Sequence, residues 1–277
     1  MAAETMQQWA REVARTLGRP SPGVVRTLAT TTDAELTLID DIVVKLHAPR
    51  TDAAQLARRL DLAAASGQFV PPLDTRVRIG PDGRPATIWP LVEVADAASD
   101  VQPWAASGAL LARLHRVRTP GDLPRHGWPE RLDRAVQRAP DELRDLGVRL
   151  ASEARRDEPA TLLHGDWHLG QLGRWRGGWR LLDVDDAGVG DPAWDLARPA
   201  GLWACGLLGD ADWHTFLDAY REACGPAIPP TGDPWPALDL PARCAVFVAA
   251  VRAAAGGDVH SSGTAPILLE ACRRMAQ

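Results

Sequence analysis

The chain has 277 residues, of which 45% are hydrophobic and 24% charged, and its formal net charge is −5. That length suffices for one large core or two lobes, the balance is that of an ordinary folded protein, and mild acidity without a clustered positive patch excludes a general nucleic-acid binder. Neutral or cationic partners fit it better. The opening MAAETMQQWAREVARTLG carries acids and no apolar stretch, so a secretory signal is not expected. The apolar run 242–255 is interrupted by Arg243 and Arg252 and is too short for a bilayer, which predicts a cytoplasmic protein with no membrane partner. Cys205, Cys224, Cys244 and Cys272 show no C-x-x-C spacing and read as buried thiols in a reducing compartment.

Apolar residues at Met6, Trp9, Val13 and Leu17 keep a helical period and predict an amphipathic opening helix, ended by the glycines and prolines of 18–23. Residues 24–28, 35–39 and 42–46 read as short strands, the last two joined at Asp40-Asp41. Between the first two, Ala29 to Ala34 could arch over phosphates through backbone N–H groups and the hydroxyls of Thr31 and Thr32, or serve as a plain turn. Lys45 is the one lysine among 31 Lys and Arg residues. A composition so biased towards arginine retains lysine where a compact ammonium is needed and a planar guanidinium will not serve, as against phosphates in a tight site. Asp52 and Asp61, on a predicted helix over 52–65, are the nearest acids that could pair with it or remain solvated.

A second hairpin is predicted over 76–79 and 86–92, turned by Gly80-Pro81-Asp82-Gly83. From Pro103 the pattern becomes helical, with Leu110, Leu111, Leu114 and Val117 at helical spacing. Three segments follow: 1–93, a linker at 94–102, and 103–277. The Pro- and Gly-rich stretch 119–129 is expected to be a flexible wall of a substrate pocket, and 131–156 a charged, solvated helical face. Trp203, Trp213 and Trp235 fall near Asp210, Asp212, Asp218, Glu222 and Asp233, a combination able to stack on sugar rings and grip hydroxyl or ammonium groups. With 11 Trp against 3 Phe and 1 Tyr, tryptophan is also this chain's general core aromatic.

The stretch 162–197, LLHGDWHLGQLGRWRGGWRLLDVDDAGVGDPAWDLA, carries the chemistry. Phosphoryl transfer requires a carboxylate for the acceptor hydroxyl, a cation for the phosphates and charge neutralisation around a loose transition state. Asp166 can be the first. Gln171 and Asp183 offer the oxygen donors that magnesium prefers. The intervening GRWRGGWRLLDV alternates and breaks at Gly177-Gly178, which predicts a tight hairpin that folds the loop and Asp183 back on one another.

These residues carry a resemblance. The chain resembles the aminoglycoside phosphotransferase family, which has a protein-kinase-like fold, through His164-Gly165-Asp166, Gln171 where that family usually has Asn, Leu182-Asp183, Gly188-Val189-Gly190-Asp191-Pro192 and Asp195-Leu196-Ala197. The likeness implies that Asp166 is the catalytic aspartate, Gln171 and Asp183 the metal ligands, and Lys45 the phosphate-binding lysine. It implies that the strand end at Leu91 and Glu93 crosses between lobes and pairs with the adenine edge. His-Leu-Gly-Gln looks like the bacterial maltokinase and amino-sugar kinase branch. The family's helix glutamate that pairs with the lysine is missing, since no Glu lies between Lys45 and Glu93.

The expected architecture is therefore α+β and two-lobed, with a small β-rich N-terminal lobe and a larger helical C-terminal lobe. The expected activity is transfer of the γ-phosphoryl group of ATP, or GTP, with Mg2+, to a hydroxyl of a small molecule. An aminoglycoside-like antibiotic leads, with a sugar or amino sugar as the alternative and a non-catalytic nucleotide-binding pseudokinase as the rival from another class. Asp185, His168, Trp203 and Asp210 are candidate substrate contacts. Asp191 and Asp195 are expected to fix the loop, His164 and His168 to brace it, and Asp186 to serve a turn.

Overall fold

Apolar alternation in the first ninety residues builds a sheet with one dry face. The computed structural model describes residues 2–19, 23–28, 34–96, 99, 101–119, 121–154, 161–256 and 263–277. Helix α1 (Ala2–Thr16) is followed by β1 (Val25–Leu28), β2 (Glu35–Ile39) and β3 (Ile42–Leu46), then α2 (Ala53–Ser66), β4 (Asp74–Ile79), β5 (Pro85–Pro90) and the short β6 (Glu93–Val94). The five longer strands form one antiparallel sheet in the order β1-β2-β3-β5-β4. Ile42, Val44 and Leu46 of central β3 join Met6, Ala10, Val13 and Ala14 of α1 in one buried cluster. The two-residue period of a strand therefore puts Val43 and Lys45 on the opposite face.

The remaining helices and strands are α3 (Trp104–His115), α4 (Trp128–Arg138), α5 (Asp141–Ala154), β7 (Thr161–Leu163), a 3₁₀ turn (Leu169–Gln171), β8 (Leu172–Trp175), β9 (Gly178–Leu181), β10 (Gly188–Gly190), α6 (Ala193–Ala204), α7 (Asp210–Glu222), α8 (Trp235–Ala254) and α9 (Ala265–Ala276). The chain forms two compact units. One comprises Met1–Val94 with Gly173–Val184, the other Ala95–Leu172 with Asp185–Gln277. Residues 173–184, expected within the helical segment 103–277, instead pack with the N-terminal sheet region: β6 pairs with β8, and Leu181 exchanges backbone hydrogen bonds with Gln68 and Val70. The β8–β9 turn falls at Arg176-Gly177, one residue earlier than expected. Both have positive φ, +50° and +81°, as a type I′ hairpin turn requires.

In the helical unit, α4, α5, α6, α8 and α9 contribute Leu132, Leu143, Leu146, Trp194, Phe247 and Cys272 to one core. Antiparallel β7 and β10 pair Leu163 with Gly188, which holds the chain on either side of residues 164–187. Cys244 and Cys272 are buried as expected, and burial pushes both thiols up to about 12, whereas Cys205 is half-buried and Cys224 is exposed. Among the described residues no helix is long and apolar enough to cross a membrane.

Candidate active site

In the sheet-bearing unit, Lys45 stands on the face of β3 away from the α1 core. Its Nζ donates to both carboxylate oxygens of Asp183 at 2.7 Å. The lysine side chain is 12% exposed and the aspartate 33%, so the pair is sheltered without being sealed. Asp183 has φ +57°, in the left-handed region that few non-glycine residues occupy, and this aims a carboxylate that a regular strand would carry elsewhere. The acids considered from sequence serve local ends instead: Asp52 caps α2 by accepting from the N–H groups of Ala54 and Gln55, and Asp61 is exposed on that helix. The N–H of Leu91 donates to the Asp41 carbonyl at 2.8 Å, and exposed Glu93 pairs with Arg174 across β6–β8. Thr31 and Thr32 lie outside the described residues.

In the helical unit, β7 delivers His164-Gly165-Asp166 into a tight turn. Gly165 has φ +82°, and a Cβ there would collide with the carbonyl oxygen of Asp186, so only glycine lets the two segments meet. Behind the turn sits Asp195, 1% exposed in the first turn of α6. It accepts from the N–H of His164 at 2.7 Å and of Gly165 at 2.8 Å, and it lies 3.0 Å from His115 Nε2. Burial alone would raise its carboxyl, but these bonds and the neighbouring histidines hold it below the usual range. His115 Nδ1 in turn meets the Tyr220 hydroxyl at 2.8 Å, and that hydroxyl accepts from the Ala227 N–H. The expectation that Asp195 fixes the loop thus acquires a geometry. Asp191 accepts from the Ala193 N–H at 2.9 Å at the entry to α6.

Asp166 is held by two arginines. Arg131 donates to its Oδ1 and, through its other terminal nitrogen, to Asp186 Oδ2. Arg198 donates to the same Oδ1 at 2.7 Å. Burial works to raise the Asp166 carboxyl, but the charges of Arg131 and then Arg198 outweigh it and bring it down to about 2. Arg131, expected on a solvated face, is 12% exposed. The cause lies upstream: residues 124–127, expected to be a flexible wall, are tied down. Val189 N–H donates to Pro124 O, His126 N–H to Val189 O, and Gly127 N–H to Asp186 O. The stretch therefore runs along β10 and sets the start of α4 so that Arg131, one turn in, meets the loop. The charged segment is also two helices, broken at Ala139-Pro140.

Of the other candidates, Gln171 ends the 3₁₀ turn, half-buried, with its N–H bonded to His168 O. His168 Nδ1 accepts from the Gly170 N–H, and burial followed by the Arg198 charge pushes its ring down to about 4, so it is neutral at neutral pH. Asp185 is half-buried. Trp203 donates its indole N–H to Asp210 at 2.7 Å and stacks between Trp213 and Trp235 at centroid distances of 5.5 and 5.8 Å. Among the described residues there is no group of three or more His, Cys, Asp or Glu side chains able to hold a metal ion.

Residues 23–236 match the model of the phosphotransferase enzyme family, APH. The chain belongs to that family. No curated protein matches it in sequence. Among solved structures, this phosphotransferase is similar to a choline/ethanolamine kinase family protein from Mesorhizobium loti, with 16% identity, TM-score 0.62 and 92% of this chain and 88% of that one covered. It is similar to the GDP complex of aminoglycoside 2′-phosphotransferase-IIIa, with 16% identity, TM-score 0.59 and 98% and 99% covered. A third likeness is to a putative fructosamine-3-kinase from Haemophilus somnus, with 15% identity, TM-score 0.60 and 96% and 98% covered. The phosphotransferase accordingly has the α+β, protein-kinase-like fold, β-rich in its N-terminal region and helical in its C-terminal region.

The two arginines that hold Asp166 carried no clear mark in the sequence. Arg198 had a faint one, because it follows Asp195 by three positions on α6 and so lies on the same helical face. Arg131 had none, being one of several arginines on a charged helix.

Proposed function

We propose that this phosphotransferase moves the γ-phosphoryl group of ATP, or GTP, to a hydroxyl of a small molecule. One observation carries the reading: the chain's single lysine reaches across 138 positions of sequence to bond both oxygens of Asp183. In this role Lys45 aligns the phosphates and the strand end at Leu91 and Glu93 takes the base. A nucleotide-dependent reaction of this kind belongs in the cytoplasm.

The donor set fits magnesium. Asp183 would offer a carboxylate and Gln171 an amide carbonyl, both hard oxygen donors of the kind magnesium takes a few of while keeping water and phosphate in its other positions. Bound there, the ion would neutralise charge on the transferring group. Asp166 orients the acceptor hydroxyl and accepts its proton. A carboxyl held at about 2 is a weak base, which is tolerable because a loose transition state deprotonates the acceptor late and asks mainly for orientation.

The acceptor reading turns on what faces Asp166. Family likeness favoured an aminoglycoside-like antibiotic, and the His-Leu-Gly-Gln loop a sugar. Two guanidiniums already satisfy Oδ1 of Asp166, so a polycation finds little uncompensated acid there, and this favours the sugar-like class. Replacing Asp166 by Ala should lower phosphoryl transfer by about 10²–10⁴-fold with nucleotide binding nearly intact. Unchanged turnover refutes the assignment, and absence of any magnesium-dependent nucleotide turnover in the wild type favours the pseudokinase reading.

A further inference from the structure

Resting on the kinase reading, the neighbours of Asp166 identify the acceptor more closely. We propose that the acceptor is an anionic alcohol, a hydroxy or sugar compound bearing a carboxylate or phosphate near the reacting hydroxyl, and that Arg198 and Arg131 recognise that anion. Both guanidiniums converge on Oδ1 of the residue that must touch the acceptor, while among the described residues none donates to Oδ2, which is left to meet a hydroxyl. Any group attached beside that hydroxyl therefore lies within reach of two arginine forks.

Arginine suits this task. Its planar fork matches a carboxylate or phosphate at two points and stays charged when sheltered, and here Arg131 is 12% and Arg198 28% exposed. The two guanidiniums answer Asp166 and Asp186, which leaves little uncompensated acid there for a cation.

Several of the acids that might have gripped an ammonium group have partners of their own. Asp210 accepts from the Trp203 indole, Asp233 from the Trp235 N–H, and Asp218 lies 4.0 Å from Arg221. Asp186 is bound to Arg131. When the acceptor anion arrives, it competes for guanidinium donors that now brace Asp166. The same event orients the hydroxyl and loosens the hold on the carboxylate that must accept its proton. The transfer balances in the ordinary way: the acceptor oxygen bonds to the γ-phosphorus, the bond to the β–γ bridging oxygen breaks, and the hydroxyl proton passes to Asp166.

The test uses the full chain with magnesium and ATP, measuring ADP release with gluconate for the carboxylate arm, glucose 6-phosphate for the phosphate arm, glucose as the neutral match, and glucosamine and kanamycin as cations. At least one anionic acceptor should exceed glucose by about tenfold or more in kcat/KM, with the cations no better than glucose. Arg198→Gln should raise KM for the anionic acceptor about tenfold and leave KM for ATP unchanged. Arg198→Lys, which keeps the charge and loses the fork, should fall between, and equal melting temperatures will exclude misfolding. Preference for glucosamine, kanamycin or glucose overturns the proposal, as does an equal loss for every acceptor in Arg198→Gln. If no acceptor turns over, calorimetry with gluconate and glucose 6-phosphate decides: binding abolished by Arg198→Gln retains the anion site whatever becomes of the kinase reading, whereas no binding refutes the anion site.

Discussion

Each unit of the molecule holds one of its two key carboxylates with cations, and the two do it differently. In the sheet-bearing unit a single ammonium meets Asp183 symmetrically, 2.7 Å to either oxygen, from the one lysine in the chain. In the helical unit two guanidiniums crowd onto one oxygen of Asp166, and one of them also bridges to Asp186. A point charge can be exchanged for a metal ion or a phosphate with little rearrangement. A fork spanning two carboxylates fixes their separation as well as their charge. On the proposed function, the first carboxylate passes from its ammonium to an incoming ion with little rearrangement, whereas the second is held in position until an acceptor's anion draws on the same guanidiniums.

The largest expected effect tests the bracing of the second carboxylate. Asp195→Ala removes the acceptor of two buried N–H groups and leaves His115 without its acid, which should cost about 3–5 kcal/mol. Chemical denaturation measures it, and a loss below about 1 kcal/mol would mean that the loop stands without the brace. Next comes the exchangeable charge. Lys45→Ala should weaken nucleotide binding by about 10–100-fold, and Lys45→Arg should not restore it, since a guanidinium lacks the compactness the site uses. Full rescue by arginine would erase the distinction between the two regions.

A smaller effect follows from acidity. The Asp166 carboxyl, at about 2 in the folded chain against an ordinary 3.8, favours folding wherever it is ionised. That contribution is complete above about pH 4 and is lost as pH falls towards 2, amounting to at most about 2 kcal/mol. Arg131→Met should flatten stability across that window, and an unchanged acid limb would show that Arg131 does not set the carboxyl. The smallest effect is local: Gly177→Ala puts a Cβ at φ +81° in the β8–β9 turn and should cost about 1 kcal/mol in thermal melts with no change in acceptor preference.

The two regions also differ in how far they could be read from sequence. Around Lys45 the signals were local and strong: strand composition placed it in 42–46, Asp40-Asp41 gave the hairpin turn, and its rarity marked the residue. Around Asp166 the loop motif was legible and so was the role of Asp195. Its cationic neighbours were not. Helical periodicity says which residues of α4 share a face but not which loop that face meets, and Arg131 is placed by backbone bonds of 124–127 to Val189 and Asp186, far away in sequence. The partner of Lys45 escaped for the same reason. The nearest acids on α2 were considered, while Asp183 arrives by way of a hairpin that returns to the first unit.

That return has a consequence for how the protein is made. The strand that completes β6, and the acid that meets Lys45, emerge from the ribosome only after residues 95–172 have been synthesised. The N-terminal sheet can form early, but its charged face must wait, with its ammonium unanswered, until the chain has grown past Val184. Nascent chains arrested with Val184 still inside the exit tunnel and with it just outside should differ sharply in protease resistance of residues 1–94.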